Sequence, residues 1–118
     1  MKENVIREKS LAFGRRIVRL CIHLEKKKQE FVLSKQIKRS GTAPGALVRE
    51  SEHAESRKDF IHKLSIALKE ANETEYWLQL LKEGNYLTPA EFESIHCDCV
   101  EVIKILAAII KSSKKGGS

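Results

Sequence analysis

Residues that interrupt helices are scarce in this chain, with two prolines and six glycines among 118 residues. No segment shows the period-two alternation of a half-buried strand, so a sheet protein is excluded as the expectation. Aromatic residues make up only 6% of the sequence. No apolar run approaches the ~18–20 residues needed to cross a bilayer, and nothing resembles a signal peptide. Neither a membrane span nor secretion is therefore expected. Three cysteines, an odd number, offer no disulfide framework, and a reduced, cytoplasmic setting is expected. An Asn72-Glu73-Thr74 sequon is present, but it falls inside an expected helix and carries no functional weight.

What is present is a helix-forming sequence, 42% apolar and 32% charged, as is usual for a water-soluble helical domain. The length suits one domain with a modest core. The net charge of +6 is unevenly spread. Residues 1–49 carry 13 Lys and Arg against 4 Asp and Glu, a balance of +9, whereas residues 50–118 carry 9 against 12, a balance of −3. A basic front half and a mildly acidic back half suit either an anionic partner or complementary contacts between subunits.

The stretch Ser56–Leu81, SRKDFIHKLSIALKEANETEYWLQLL, organises the fold. On a helix, Phe60, Ile61, Leu64, Ala67, Leu68, Ala71 and Leu78 share one arc, and Ile66, Trp77 and Leu80 form a second strip beside it. One neighbouring helix could not cover both. Ser56 and Asp59 fit an N-cap and its reciprocal partner, and Gly84 is the expected left-handed terminator. Around this element the spacing predicts helices at about 10–28, 32–53, 57–83 and 89–112. Asn4–Lys9 adds a turn or a short arm, and residues 113–118 form a flexible tail. The last helix opens with Thr88-Pro89-Ala90-Glu91, which is an N-cap, an N1 proline and a capping-box acid. The expected architecture is all-α, an antiparallel up-down four-helix bundle forming a single domain over residues 1–112.

The first helix is sharply divided. Lys9, Arg15, Arg16, Arg19, His23, Lys26 and Lys27 occupy an arc of roughly 120°, interrupted only by Ala12. Leu11, Phe13, Ile17, Val18, Leu20, Cys21, Ile22 and Leu24 fill an arc of roughly 200°, about twice what packing within one bundle requires. Part of that surplus is expected to meet another subunit. No acid four residues away neutralises Arg15–Arg19. In the second helix Leu33, Ile37, Ser40, Pro44, Leu47 and Val48 lie on one side, with Lys35, Lys38, Arg39 and Arg49 on the other. Its small-residue run, Ser40–Ala46, allows a close helix approach, and Pro44 predicts a bend. A phosphate-cradling loop is the sharper reading of that run, but it lacks the P-loop spacing and the Gly-Lys-Ser/Thr ending.

Segments Glu30–Val48 and Ala54–Leu81, supported by EKSLAF near the start and EGNYL before the fourth helix, resemble a bacterial family. That family takes its name from proteins encoded in intervening sequences of 23S ribosomal RNA. Matching positions include Gln36, Arg39, Ser40, Gly41, Gly45, Ala46, Glu50, Lys58, Asp59 and Glu73. The resemblance implies a four-helix protomer, a homopentamer and no known enzymatic activity. It also implies kinship with accessory proteins of diversity-generating retroelements, which are basic pentamers that bind nucleic acid and a reverse transcriptase. Pro44 stands where relatives usually carry isoleucine, and Leu47 where they usually carry asparagine, so any role of that asparagine does not transfer.

Chemistry-bearing residues do not assemble into a site. In His96-Cys97-Asp98-Cys99 the two cysteines point about 160° apart on a helix and cannot share an ion. His96 with Cys99 gives at most two ligands, so no metal is expected. No cysteine or histidine sits on a strand-to-helix turn suited to nucleophilic catalysis, and the carboxylate pairs Glu70/Glu73 and Glu91/Glu93 fit polar faces and caps. No enzyme and no cofactor are expected. Nucleic-acid binding rests on Arg15, Arg16, Arg19, Lys26, Lys27, Lys35, Lys38 and Arg39, meeting phosphates without sequence readout. These faces offer no exposed aromatic for stacking unpaired bases. The expected function is therefore RNA or DNA binding through phosphate contacts, with self-association and a reverse transcriptase as a further partner. The alternative is a protein-interaction scaffold, in which the basic face of one subunit meets Glu50, Glu52 and Glu55 of the next.

Overall fold

Ile6, Phe13, Ile17, Cys21 and Leu24 recur at steps of seven, four, four and three, and all are at most 2% exposed. They form the inward stripe of helix α1 (Lys2–Lys27). Helices α2 (Val32–Ser51), α3 (Arg57–Glu83) and α4 (Pro89–Gly116) follow. This computed structural model describes residues 2–116, with side chains from Val5 onward, and among them there is no strand. Each helix packs on two neighbours in the cyclic order α1–α2–α3–α4, and among the described residues the backbones of diagonal helices stay further apart. Successive helices run antiparallel. Gly41 lies beside Ile17, and Gly45 beside Ser10. Lys63 meets Glu50, and Lys9 and Arg16 meet Glu101 and Asp98. The result is an all-α four-helix bundle measuring 49 × 22 × 19 Å.

The central helix is packed on two sides, as its double apolar strip requires. Leu64, Ala67, Ala71, Leu78 and Leu81 are at most 1% exposed, and α3 contacts both α2 and α4. The small-residue run of α2 serves close approach. A Cβ on Gly45 would lie 3.3 Å from the Ser10 carbonyl oxygen of α1. On the α3 side the buried Ser40 and Thr74 hydroxyls hydrogen-bond at 2.9 Å. The run lies inside an unbroken helix that continues through Pro44, so its amides form no anion-cradling loop.

The caps show where local chemistry decided the boundaries. Ser56 Oγ accepts the Asp59 amide at 3.0 Å, while Asp59 reaches back to the amide of Glu55 at 3.2 Å. Thr88 and Glu91 form a reciprocal capping box at 3.1 and 2.8 Å. Two expectations need correction. Gly84 is not left-handed (φ −82°). Asn85 takes that role at φ 66°, and the Asn85 and Tyr86 amides donate to the Lys82 and Leu81 carbonyls at 3.0 and 2.9 Å. These two bonds form a Schellman pair, with an asparagine doing what glycine usually does. The expected tail is helical as far as Gly116, because Arg57 Nη1, at the start of α3, donates to the Ser113 carbonyl at 3.0 Å. Gly117 and Ser118 lie outside the described residues. At the other end Asn4–Lys9 is helical, the added-turn alternative, and α1 begins at Lys2, with Ile6 and Ser10 continuing the inward stripe, each at most 2% exposed.

Candidate nucleic-acid interface

The outward side of α1 and the start of α2 carry the cations of interest, and the fold sorts them into two groups. Arg16 is half-buried in the α1–α4 seam, where Nη1 contacts Asp98 Oδ2 at 2.7 Å and the Ser94 carbonyl at 3.1 Å. Lys38 reaches back to Glu25 at 3.1 Å. That carboxylate also accepts from Ser34 Oγ at 2.7 Å, and the Ser34 bond followed by Lys38 holds the Glu25 pKa below its usual range. Arg39 turns to α3, where Glu70 (2.9 Å) and Glu73 hold its guanidinium, and Glu73 also accepts the Trp77 indole N–H at 3.0 Å. These three cations are tied within the protomer.

Arg15, Arg19, Lys26, Lys27 and Lys35 are exposed, and none lies within ion-pair distance of a carboxylate among the described residues. Lys26 and Lys27 occupy the last turn of α1, where cations also complement the negative end of the helix dipole. Arg19 stands between two surface grooves. One runs along the α1–α4 seam with Leu20, His23, Leu87 and Ile95, the other along α1 with Leu11, Gly14, Arg15 and Val18.

The wide apolar arc of α1 is only partly used inside the bundle. Phe13, Ile17, Cys21 and Leu24 are at most 1% exposed, whereas Leu11, Val18 and Ile22 remain 38–48% exposed. Sequence reasoning missed a further feature. Phe31, in the α1–α2 connection, is 57% exposed and follows Lys26–Lys28 and precedes Lys35 in the chain, so this basic segment does carry an exposed aromatic. The signal was the lysine run flanking a phenylalanine at a helix boundary.

Several of the remaining reactive groups are engaged structurally. Burial raises the Cys21 thiol pKa and pushes that of Cys99 up to about 12. Cys97 faces solvent while Cys99 is buried, as the helical period requires. His96 Nε2 lies 2.8 Å from Glu75 and its ring stacks on Phe92. Glu91 is held below the usual carboxylate range, chiefly by the Thr88 amide. Among the described residues, no group of three or more His, Cys, Asp or Glu could hold a metal ion, and no helix is long and apolar enough to cross a membrane. Glu50 and Glu52 meet Lys63 and Arg7 of their own chain at 3.4 and 3.5 Å.

Together these features define an all-α four-helix bundle in which α1 and the start of α2 expose cations without ion-pair partners among the described residues. Residues 2–108 match the 23S rRNA-intervening sequence protein family, and the chain belongs to it. It is similar to a protein of unknown function from the S23 ribosomal protein family of Bacteroides thetaiotaomicron, known from a crystal structure. The two share 58% identity and superpose with a TM-score of 0.93, over 94% of this chain and 99% of that one. No curated protein matches the chain. Neither match names a catalytic family.

Proposed function

We propose that this protein is a non-enzymatic, cytoplasmic, self-associating helical bundle that binds RNA, or a ribonucleoprotein, through the basic face of α1 and the start of α2. The observation that carries this reading is the division of the cations. Arg15, Arg19, Lys26, Lys27 and Lys35 stand exposed without carboxylate partners among the described residues, while half-buried Arg16 and the surface residues Lys38 and Arg39 are ion-paired within the chain. Unneutralised cations along one face suit a phosphate backbone, whose bound counterions are released on contact. The family's name, which refers to 23S rRNA, is consistent with an RNA setting. Exposed Leu11, Val18 and Ile22 support self-association, and a homopentamer, as the family resemblance implies, would multiply a weak patch by avidity. A reverse transcriptase fits the reading as a protein partner.

The test is fluorescence anisotropy with labelled RNA and DNA across a salt series, on protein sized by light scattering. Binding should weaken steeply with salt. Arg15→Glu/Arg19→Glu should abolish it without changing the mass, and Arg39→Ala should leave affinity within about twofold, since its charge already faces two carboxylates. Absence of binding at low salt would overturn the reading. A second reading, a protein-interaction scaffold, draws on the interleaving of Arg15 and Arg19 with Leu11, Val18 and Ile22. It predicts that the same charge reversal dissociates the oligomer.

A further inference from the structure

Phe31 is the point at which the basic surface acquires a flat apolar face. Of the four phenylalanines, Phe13 and Phe92 are buried, Phe60 is half-buried and Phe31 alone stands exposed. The turn that carries it is fixed from both sides. Gln29 adopts a left-handed conformation (φ 57°), and its side-chain amide donates to the Lys26 carbonyl at 3.3 Å. The Glu30 amide donates to the Leu24 carbonyl at 2.9 Å. The Glu30 carboxylate then turns inward, 9% exposed, and accepts the Leu33 and Ser34 amides at 3.0 and 2.8 Å. It thereby caps α2 in place of Phe31, whose side chain makes no capping bond. With Glu30 drawn in, the next side chain is left facing water, 57% exposed. The backbone that presents the ring is thus held by the Gln29 and Glu30 bonds.

The charges around it select the partner. Lys26, Lys27 and Lys28 precede Phe31, and Lys35 lies one helical turn beyond it, where i and i+4 side chains are neighbours. The local acids are otherwise occupied. Glu30 is buried, Glu25 holds Ser34 and Lys38, and Glu91 at the start of α4 is engaged by Thr88 while its charge also reaches Lys28. A flat apolar ring within a cluster of lysines complements a polyanion that exposes aromatic faces. A duplex hides its base faces in the stack, whereas a single strand presents them for stacking on aromatic side chains.

We infer that Phe31 is a base-stacking platform and that this end of the bundle binds unpaired, single-stranded nucleic acid in preference to duplex. The inference rests on the nucleic-acid reading above. The experiment compares a labelled oligouridine with an RNA duplex of equal length, by anisotropy at several salt concentrations, on full-length protein whose mass and helicity are unchanged by substitution. The parent protein should bind the single strand more tightly. Phe31→Ala should weaken that binding roughly 5- to 150-fold, the range expected for loss of one stacked base, and leave duplex affinity unaltered. Phe31→Trp should restore it. Lys27→Ala/Lys28→Ala/Lys35→Ala should instead lower the single-strand salt slope by about 2, at ~0.7 per lost phosphate contact. Equal affinity for both probes, with Phe31→Ala neutral, overturns the stacking inference and leaves the phosphate reading standing. Failure of the parent to bind either probe overturns both. A fall in oligomer mass for Phe31→Ala assigns the ring to a subunit contact and overturns the inference.

Discussion

Gly41 presses on Ile17: a Cβ built on Gly41 would lie 2.7 Å from Ile17 Cγ1 and 2.9 Å from Cγ2. Ile17 is fully buried and cannot swing into solvent to make room. Gly14 offers the opposite case, since a Cβ there meets nothing within 4 Å. Both glycines are helical, so both gain intrinsic helix stability on replacement by alanine. Gly14→Ala should therefore stabilise the protein by about 0.5–1 kcal/mol. Gly41→Ala should destabilise it by about 1–2 kcal/mol once overpacking outweighs that gain. Urea denaturation of the two variants checks this, and similar midpoints for both would refute the contact between α1 and α2.

Glu30 does the capping that Phe31, the formal N-cap of α2, does not do. Its carboxylate takes two otherwise unpaired amides, those of Leu33 and Ser34. Glu30→Ala should cost about 1–2 kcal/mol, at the upper end for loss of a helix cap. Glu30→Gln, which keeps one oxygen acceptor, should cost less. Denaturation midpoints for the pair decide it, and a neutral Glu30→Ala would show that water satisfies those amides equally well.

The parts of this fold that were legible in the sequence are those fixed within one helical turn. The Thr88–Glu91 capping box, the Ser56 N-cap and the separation of Cys97 from Cys99 follow from spacing alone, and so does the two-sided packing of α3. Competition between neighbours was not legible. Glycine is the default left-handed terminator, yet Asn85 rather than Gly84 adopts that conformation, and no local pattern marks the choice. Pairings across long sequence separations were equally hidden. Nothing near Arg16 announces Asp98, and nothing near Arg39 announces Glu70 and Glu73, because the bundle brings those partners together. The candidate interface was accordingly readable as a basic arc, but which of its cations were already engaged was not. Phe31 was obscured because its exposure depends on where its neighbour Glu30 turns.

Thiol reactivity should divide the three cysteines by burial. Cys97 is exposed, whereas Cys99 is fully buried with its pKa raised to about 12 by burial. Cys21 is likewise buried, with its Sγ donating to the Ser34 carbonyl at 3.4 Å. Since the thiolate is the reactive species, a maleimide or a disulfide reagent should label Cys97 alone in the native protein. The other two should react only after denaturation. Mass spectrometry of the labelled peptides reads this directly, and rapid native labelling of Cys99 would contradict the packing of α4 on α3.

Two carboxylates link folding to acid. The Thr88 amide holds the Glu91 carboxyl below its usual range, and Ser34 with Lys38 does the same for Glu25. Both groups therefore bind a proton less readily when folded than when unfolded. Their contribution is fully present above the unfolded value near 4.5 and is lost as pH falls through the lower folded values. Glutamine at these positions keeps a hydrogen-bond acceptor but cannot titrate. Glu25→Gln/Glu91→Gln should thus melt below the parent at neutral pH, and the gap should narrow as the pH falls below the unfolded value near 4.5. Thermal melts followed by circular dichroism across that range test the linkage. A gap of constant size at every pH would show that neither carboxylate couples its ionisation to the fold.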